Sequence, residues 1–166
     1  MSRTMSTRLR LATAFMVAFM AAQTRAQTRP FGFGVIGGEP VGATIKVWFN
    51  PYIGMDLAAG ADFGPESRRP FPYDMPPGFQ THIEILGHLP VVRTNTLRMP
   101  VYIGVGPKVS FRAGFESVRA RTPVGVCLLW PRTPFPWEFF VEFAPSWGPR
   151  PLPFDPDLAA GIRYYF

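Results

Sequence analysis

The chain has 166 residues, which fits a single domain, and only 17% of them are charged. Its 20 prolines exclude a helical bundle or coiled coil, because proline removes a helix donor and clashes with the preceding turn. One cysteine excludes an intramolecular disulfide and a multi-cysteine zinc module. Four of the positive charges behind the net +6 lie in residues 1–26, which hold no acid. The remaining +2 therefore does not indicate a nucleic-acid partner.

The N-terminal 26 residues have the pattern of a cleaved export signal. A basic segment, Met1–Arg10, precedes an apolar run, Leu11–Ala22, that is too short to span a bilayer as a helix. Small residues surround a cleavage point after Ala26. We expect 1–26 to be a signal peptide and 27–166 to be the exported domain.

The exported part predicts an all-β fold. Short alternating runs are separated by segments rich in glycine and proline, and most approach the 9–11 residues that a tilted strand needs to cross a bilayer. The eight predicted strands are Phe31–Ile36, Val41–Phe49, Tyr52–Phe63, Phe79–His88, Val101–Arg112, Val118–Trp130, Trp137–Ala144 and Asp157–Phe166.

The fourth to eighth predicted strands each have one apolar face and one polar face, because successive side chains of a strand point to opposite sides. The seventh strand, for example, sets Phe139 and Val141 against Glu138 and Glu142. A soluble barrel buries its apolar face, whereas an outer-membrane barrel turns that face to lipid. The export signal, the mixture of charges on the polar face and the aromatic residues near strand ends favour the second arrangement.

The polar face carries cations and anions in nearly equal number, which suits a paired network inside a narrow barrel. The predicted lumen charge network is Lys46, Asp56, His82, Glu84, Lys108, Arg112, Arg119, Arg121, Glu138, Glu142 and Arg163.

The C-terminus carries a more specific signal. Tyr164 and Phe166 end the chain in phase with the apolar face. This resembles the terminal strand of bacterial outer-membrane barrels, which their assembly machinery reads. Further motifs resemble an uncharacterised family of small outer-membrane barrels first defined in spirochaetes, similar in size to OmpA and OmpX. These motifs are Gly34–Gly42, Met99–Gly106, Arg121–Gly125, Phe140–Pro145 and Asp157–Phe166.

The resemblance implies outer-membrane lipid and the barrel assembly machinery as partners, and it implies no catalytic residues. Pro107, Pro123 and Pro145 lie within predicted strands, where each removes a ladder donor. We expect bulges or shortened pairing at these three positions.

Metal and cofactor sites are not predicted. His82, Glu84 and His88 share one strand face, and two histidines with a carboxylate can bind zinc. However, His82 and His88 lie about 20 Å apart along a strand, too far to share one ion. A buried polar network explains these residues better.

We therefore predict a non-enzymatic, eight-stranded antiparallel up-and-down transmembrane β-barrel in the bacterial outer membrane. Its role would be structural or adhesive, or the binding of an unknown extracellular ligand through its loops. One alternative is a lipid-modifying barrel enzyme, and another is a secreted lipocalin-like barrel that binds an apolar ligand. A porin-like channel is least expected, because eight strands leave an interior that side chains fill.

Overall fold

The computed structural model describes residues 29–63, 78–112, 115–130, 133–148 and 154–166. The predicted signal peptide, the proline-rich loop at 64–77 and residues 149–153 lie outside this part of the chain. The described residues form nine β-strands. They include no helix that is long and apolar enough to cross a membrane. The strands are β1 (Phe31–Gly38), β2 (Val41–Trp48), β3 (Ile53–Asp62), β4 (Gly78–Arg93), β5 (Arg98–Arg112), β6 (Phe115–Arg121), β7 (Val124–Leu129), β8 (Trp137–Trp147) and β9 (Phe154–Tyr165).

All nine strands belong to one antiparallel sheet that closes into a barrel, with β1 paired to β9. Strands β6 and β7 share one position in the barrel wall, because both pair with β5 in a single register. Gly106 lies opposite Arg121 in β6, and Ile103 lies opposite Val124 in β7. The wall therefore has eight strand positions, and the predicted all-β, eight-stranded, up-and-down barrel is confirmed.

Proline shortens the pairing in the wall without shifting the register. Thr122 and Pro123 separate β6 from β7, since proline has no N–H to donate to the ladder. Pro107 still lies opposite Ala120 in the continuous β5–β6 register. A register shift occurs elsewhere, in the β4–β5 hairpin, between Pro90 and Val92. Of the two expected effects of these prolines, shortened pairing is the one that occurs.

The strands are strongly tilted. The tilt can be obtained by starting at Arg98 in β5 and passing from each residue to the one directly opposite it on the next strand. One circuit of the barrel ends at Lys108, ten residues further along β5. With a rise of about 3.3 Å per residue and a strand spacing of about 4.8 Å, this shift corresponds to a tilt of about 40°. A barrel of eight strands at this tilt has an interior just wide enough for side chains to fill.

The two ends of the barrel are distinguished by their connections. The termini rim carries the start of β1, the end of β9 and the β2–β3, β4–β5 and β7–β8 connections. The loop rim carries the β1–β2, β3–β4, β5–β6 and β8–β9 connections, while the β6–β7 connection lies within the wall. Between the rims, burial alternates along the strands. In β8, Glu138 and Glu142 point inward and are at most 3% exposed, whereas Phe139 and Val141 point outward and are about half exposed.

Candidate functional site

Charged side chains line most of the barrel interior. Burying so many charges is costly unless each is paired and hydrogen bonded. The buried ionisable residues of the lumen, none more than 8% exposed, include Lys46, Asp56, His82, Glu84, His88, Lys108, Arg119, Arg121, Glu138, Glu142, Asp155, Asp157 and Arg163.

The half of the lumen nearer the termini rim is organised around Arg163. Its guanidinium donates to Glu138 at 2.6 Å, to Thr44 at 2.8 Å and to the carboxylate of Asp56. The ammonium of Lys46 lies 3.3 Å from Glu138, and the Thr44 hydroxyl donates to Asp56 at 3.0 Å. These five residues form the Arg163 cluster. Its two cations balance its two carboxylates, so the charges compensate one another.

The half of the lumen nearer the loop rim is organised around Arg121. Its guanidinium donates to Glu84, to Glu142 at 2.7 Å and to Asp157 at 3.0 Å. The ammonium of Lys108 lies 2.6 Å from Asp157 and 3.1 Å from Asp155, and the guanidinium of Arg119 donates to Asp155 at 2.6 Å. The Arg121 cluster consists of Glu84, Lys108, Arg119, Arg121, Glu142, Asp155 and Asp157.

An aromatic layer closes the lumen at the termini rim. The indole N–H of Trp48 donates to the Tyr165 hydroxyl at 2.9 Å, and that hydroxyl donates to Glu138 at 2.7 Å. Leu129 completes the layer, and His88 lies with its ring centroid 4.2 Å from that of Trp48. Trp48, Leu129 and Tyr165 are each at most 2% exposed. The layer therefore leaves no wide opening among the described residues.

Interior aromatic rings fold over glycines on the neighbouring strand. Such pairs let a narrow, strongly curved wall accommodate large side chains, because glycine leaves room where a Cβ would collide with the ring. A methyl group on the three glycines would lie 2.8, 2.5 and 2.4 Å from the nearest ring atom. In each pair the glycine lies directly opposite the aromatic residue on the neighbouring strand. The pairs are Gly32–Tyr165, Gly161–Phe140 and Gly125–Tyr102.

The outer surface of the barrel wall is apolar and exposed. Exposed apolar patches of this extent are rare on soluble monomers and mark a surface that meets lipid or another apolar partner. Mid-wall residues, between 36% and 65% exposed, are Val35, Ile83, Ile85, Ile103, Val105, Val118, Val124, Val126, Leu128, Val141 and Leu158.

Aromatic side chains concentrate near the two rims of this surface. At the termini rim, the rings of Trp137, Tyr164 and Phe166 contact one another in sequence with centroids 5.1 Å apart. At the loop rim, Trp147 lies 5.0 Å from Phe154. Two aromatic belts flanking an aliphatic zone are the arrangement that places amphipathic rings at membrane interfaces.

Glu39 lies at the loop rim, in the connection between β1 and β2. Burial, and then the nearby carboxylate of Asp157, raise the pKa of Glu39 from its usual 4.5 to about 7. The carboxylates of Asp155 and Asp62 contribute to this rise, and the ammonium of Lys108 opposes it. The loop rim thus holds several carboxylates close together, and Glu39 takes up a proton more readily than an exposed glutamate does.

The structure places ten of the eleven predicted network residues inside the barrel. Nine of them belong to the Arg163 and Arg121 clusters, and the tenth, His82, lies beside Arg121. The side chain of Arg112 lies outside the described residues. Sequence reasoning misses Asp155, because this residue precedes the predicted start of the last strand at Asp157. The alternation of Asp155, Asp157 and Ala159 was the available signal that β9 begins earlier. Tyr102 was also missed, although its hydroxyl donates to Glu142 at 2.9 Å.

Comparisons with known proteins show that the fold of this chain is similar to that of a solved β-barrel. No protein-family model matches the chain, and no curated protein matches it. Among solved structures, it is similar to the N-terminal β-barrel domain of Pseudomonas aeruginosa OprF. That match has a TM-score of 0.56 and 14% identity, and it covers 86% of this chain and 100% of the OprF domain. At this identity the likeness shows a shared barrel fold. The resemblance to a spirochaete family stays a prediction.

Proposed function

We propose that this protein is a non-enzymatic β-barrel of the bacterial outer membrane, with a structural or surface-binding role exercised through its loops. The observation that carries the proposal is the outer surface of the barrel. An aliphatic zone with two aromatic belts covers the wall, while most of the described ionisable residues are buried in the interior.

The interior supports the same proposal. A barrel that binds an apolar ligand needs a predominantly apolar pocket. The described lumen instead holds two ion-pair clusters beside a packed apolar cluster that includes Ile36, Leu86 and Phe140, and the extended apolar surface of the barrel is the outer one. In water this arrangement would expose apolar side chains to solvent and bury charged ones. In lipid it places apolar residues against hydrocarbon and keeps the charges away from it.

The filled lumen also bears on transport. Arg163 and Arg121 each extend across the interior to residues of several strands, and the aromatic layer of Trp48, Leu129 and Tyr165 lies beneath them. Solutes would have to break charge-assisted hydrogen bonds to pass. We therefore propose that the barrel is a scaffold and not a channel, and that its loops present any binding surface.

Cell fractionation tests this proposal. We expect the mature protein in the outer-membrane fraction, resistant to high-salt and carbonate washes and released only by detergent. Folded protein should migrate differently from boiled protein on a denaturing gel. Recovery of folded protein in the periplasm or medium without detergent would contradict the proposal, and the soluble barrel would then be preferred.

A further inference from the structure

His82 and two glutamates of the Arg121 cluster form a set of side chains whose geometry suits a metal ion. Among the described residues, His82, Glu84 and Glu142 bring one ligand atom each within 4.8 Å of one another. All three side chains are at most 3% exposed. We propose that these residues form a binding site for a divalent transition-metal ion of the zinc class.

Two members of this set also have unpartnered polar atoms. His82 Nδ1 and Glu84 Oε2 are buried and have no hydrogen-bond partner among the described residues. Leaving such groups unsatisfied is costly, and they are rare in folded proteins unless a ligand, ion or water satisfies them. One imidazole nitrogen with two carboxylate oxygens is a donor set that zinc accepts.

Glu142 is oriented for this role by a further contact. The Tyr102 hydroxyl donates to Glu142 Oε2 at 2.9 Å and so restrains the carboxylate from outside the ligand set. Hydrogen bonds of this kind fix the direction of a metal ligand and tune its affinity.

Arg121 is the competitor for this site. Its guanidinium now bonds Glu84 and Glu142, and its Nη1 lies 3.5 Å from His82 Nε2. Its Nε also bonds Asp157 at 3.0 Å. A guanidinium turned toward Asp157 would keep that partner while it released the two glutamates. Metal binding is therefore an exchange of one cation for another at the same carboxylates.

The charge balance favours an added cation at this level of the lumen. The Arg163 cluster holds two cations and two carboxylates. The Arg121 cluster joins three cations to four carboxylates. The formal excess of one negative charge therefore lies in the cluster that contains two of the proposed ligands, Glu84 and Glu142.

The site would link parts of the wall that are not neighbours. His82 and Glu84 belong to β4 and Glu142 belongs to β8, and two strand positions separate them. A bound ion would join these strands through the lumen, and binding only to the folded state would stabilise the barrel by mass action.

The chain offers a matched pair of variants, since it contains two histidines and both are buried in the lumen. Detergent-folded wild type, His82→Gln and His88→Gln would be dialysed against chelator and then unfolded thermally with and without Zn²⁺. We expect Zn²⁺ to raise the unfolding midpoint of wild type and His88→Gln by several degrees. The midpoint of His82→Gln should not move, and Mg²⁺ should have no effect on any of the three proteins.

A second readout keeps the test decisive if His82→Gln does not fold. Co²⁺ bound to wild type through an imidazole and carboxylates should give visible ligand-field bands, which Zn²⁺ should displace. A wild type with neither a Zn²⁺-dependent shift nor these bands would overturn the proposal. So would a shift that persists in His82→Gln, because the ion would then be bound elsewhere.

Discussion

Replacing Gly32 by alanine tests whether the interlocked glycine and aromatic pairs hold the wall together. A Cβ on Gly32 would lie 2.8 Å from both Cε1 and Cζ of Tyr165. The ring is not free to swing away, because its hydroxyl accepts from Trp48 and donates to Glu138. Relieving the overlap means moving a buried ring or breaking these hydrogen bonds.

The expected cost follows from the size of such effects. Overpacking a filled interior costs about 1–3 kcal/mol. The lower backbone entropy of alanine in the unfolded chain offsets up to about 1 kcal/mol of that. We therefore expect Gly32→Ala to lower the free energy of unfolding by about 1–2 kcal/mol.

Gly37→Ala is the matched control on the same strand. There the nearest atom to an added Cβ is the Ala160 carbonyl oxygen at 3.8 Å, an ordinary contact. This variant should be neutral or slightly stabilising. Both variants would be unfolded in urea from the same lipid or detergent. If Gly32→Ala costs no more than Gly37→Ala, the packing of Tyr165 against Gly32 does not constrain the wall and the reasoning fails.

Three further predictions concern the outer surface, the chain end and the loop rim. In lipid vesicles, Val141→Arg should lower the free energy of unfolding by about 2–4 kcal/mol, whereas Val41→Arg, at a strand end, should lower it by about 0–1 kcal/mol. Equal costs would contradict the proposed lipid-facing zone. Phe166→Ala should lower the stability of the refolded barrel by less than about 1.5 kcal/mol, because the side chain is 64% exposed. The same variant should sharply lower the yield of folded protein in cells, and an unchanged yield would argue against a role of Phe166 as an assembly signal. Because the pKa of Glu39 is raised from 4.5 to about 7, wild type should lose stability as pH rises between these values, where the unfolded chain has released a proton that the folded chain still holds. Glu39→Gln should therefore gain about 1–2 kcal/mol over wild type between pH 5 and 8, and parallel pH profiles would refute this.

The strand content and the two faces of the wall could be predicted from the sequence because both are local properties. Alternation with a period of two sets which side chains share a face, whatever the rest of the chain does. Val141 and Glu142 could thus be assigned to opposite faces from the residues alone. The strand limits were less predictable, and β4 extends to Arg93, five residues beyond its expected end. Its added residues pair with β5, a contact that the pattern of β4 alone does not contain.

Which charges meet inside the barrel was decided only by the tertiary structure. Arg163 contacts Asp56, 107 residues away in the chain, and Arg121 contacts Glu84 and Glu142 from two other strands. These partners depend on the ten-residue shift accumulated round the closed wall, which sets the height of each inward side chain relative to the others. Residues facing the lumen could be named from one strand at a time, but their partners lie across it, and distances across a barrel exist only once the sheet has closed.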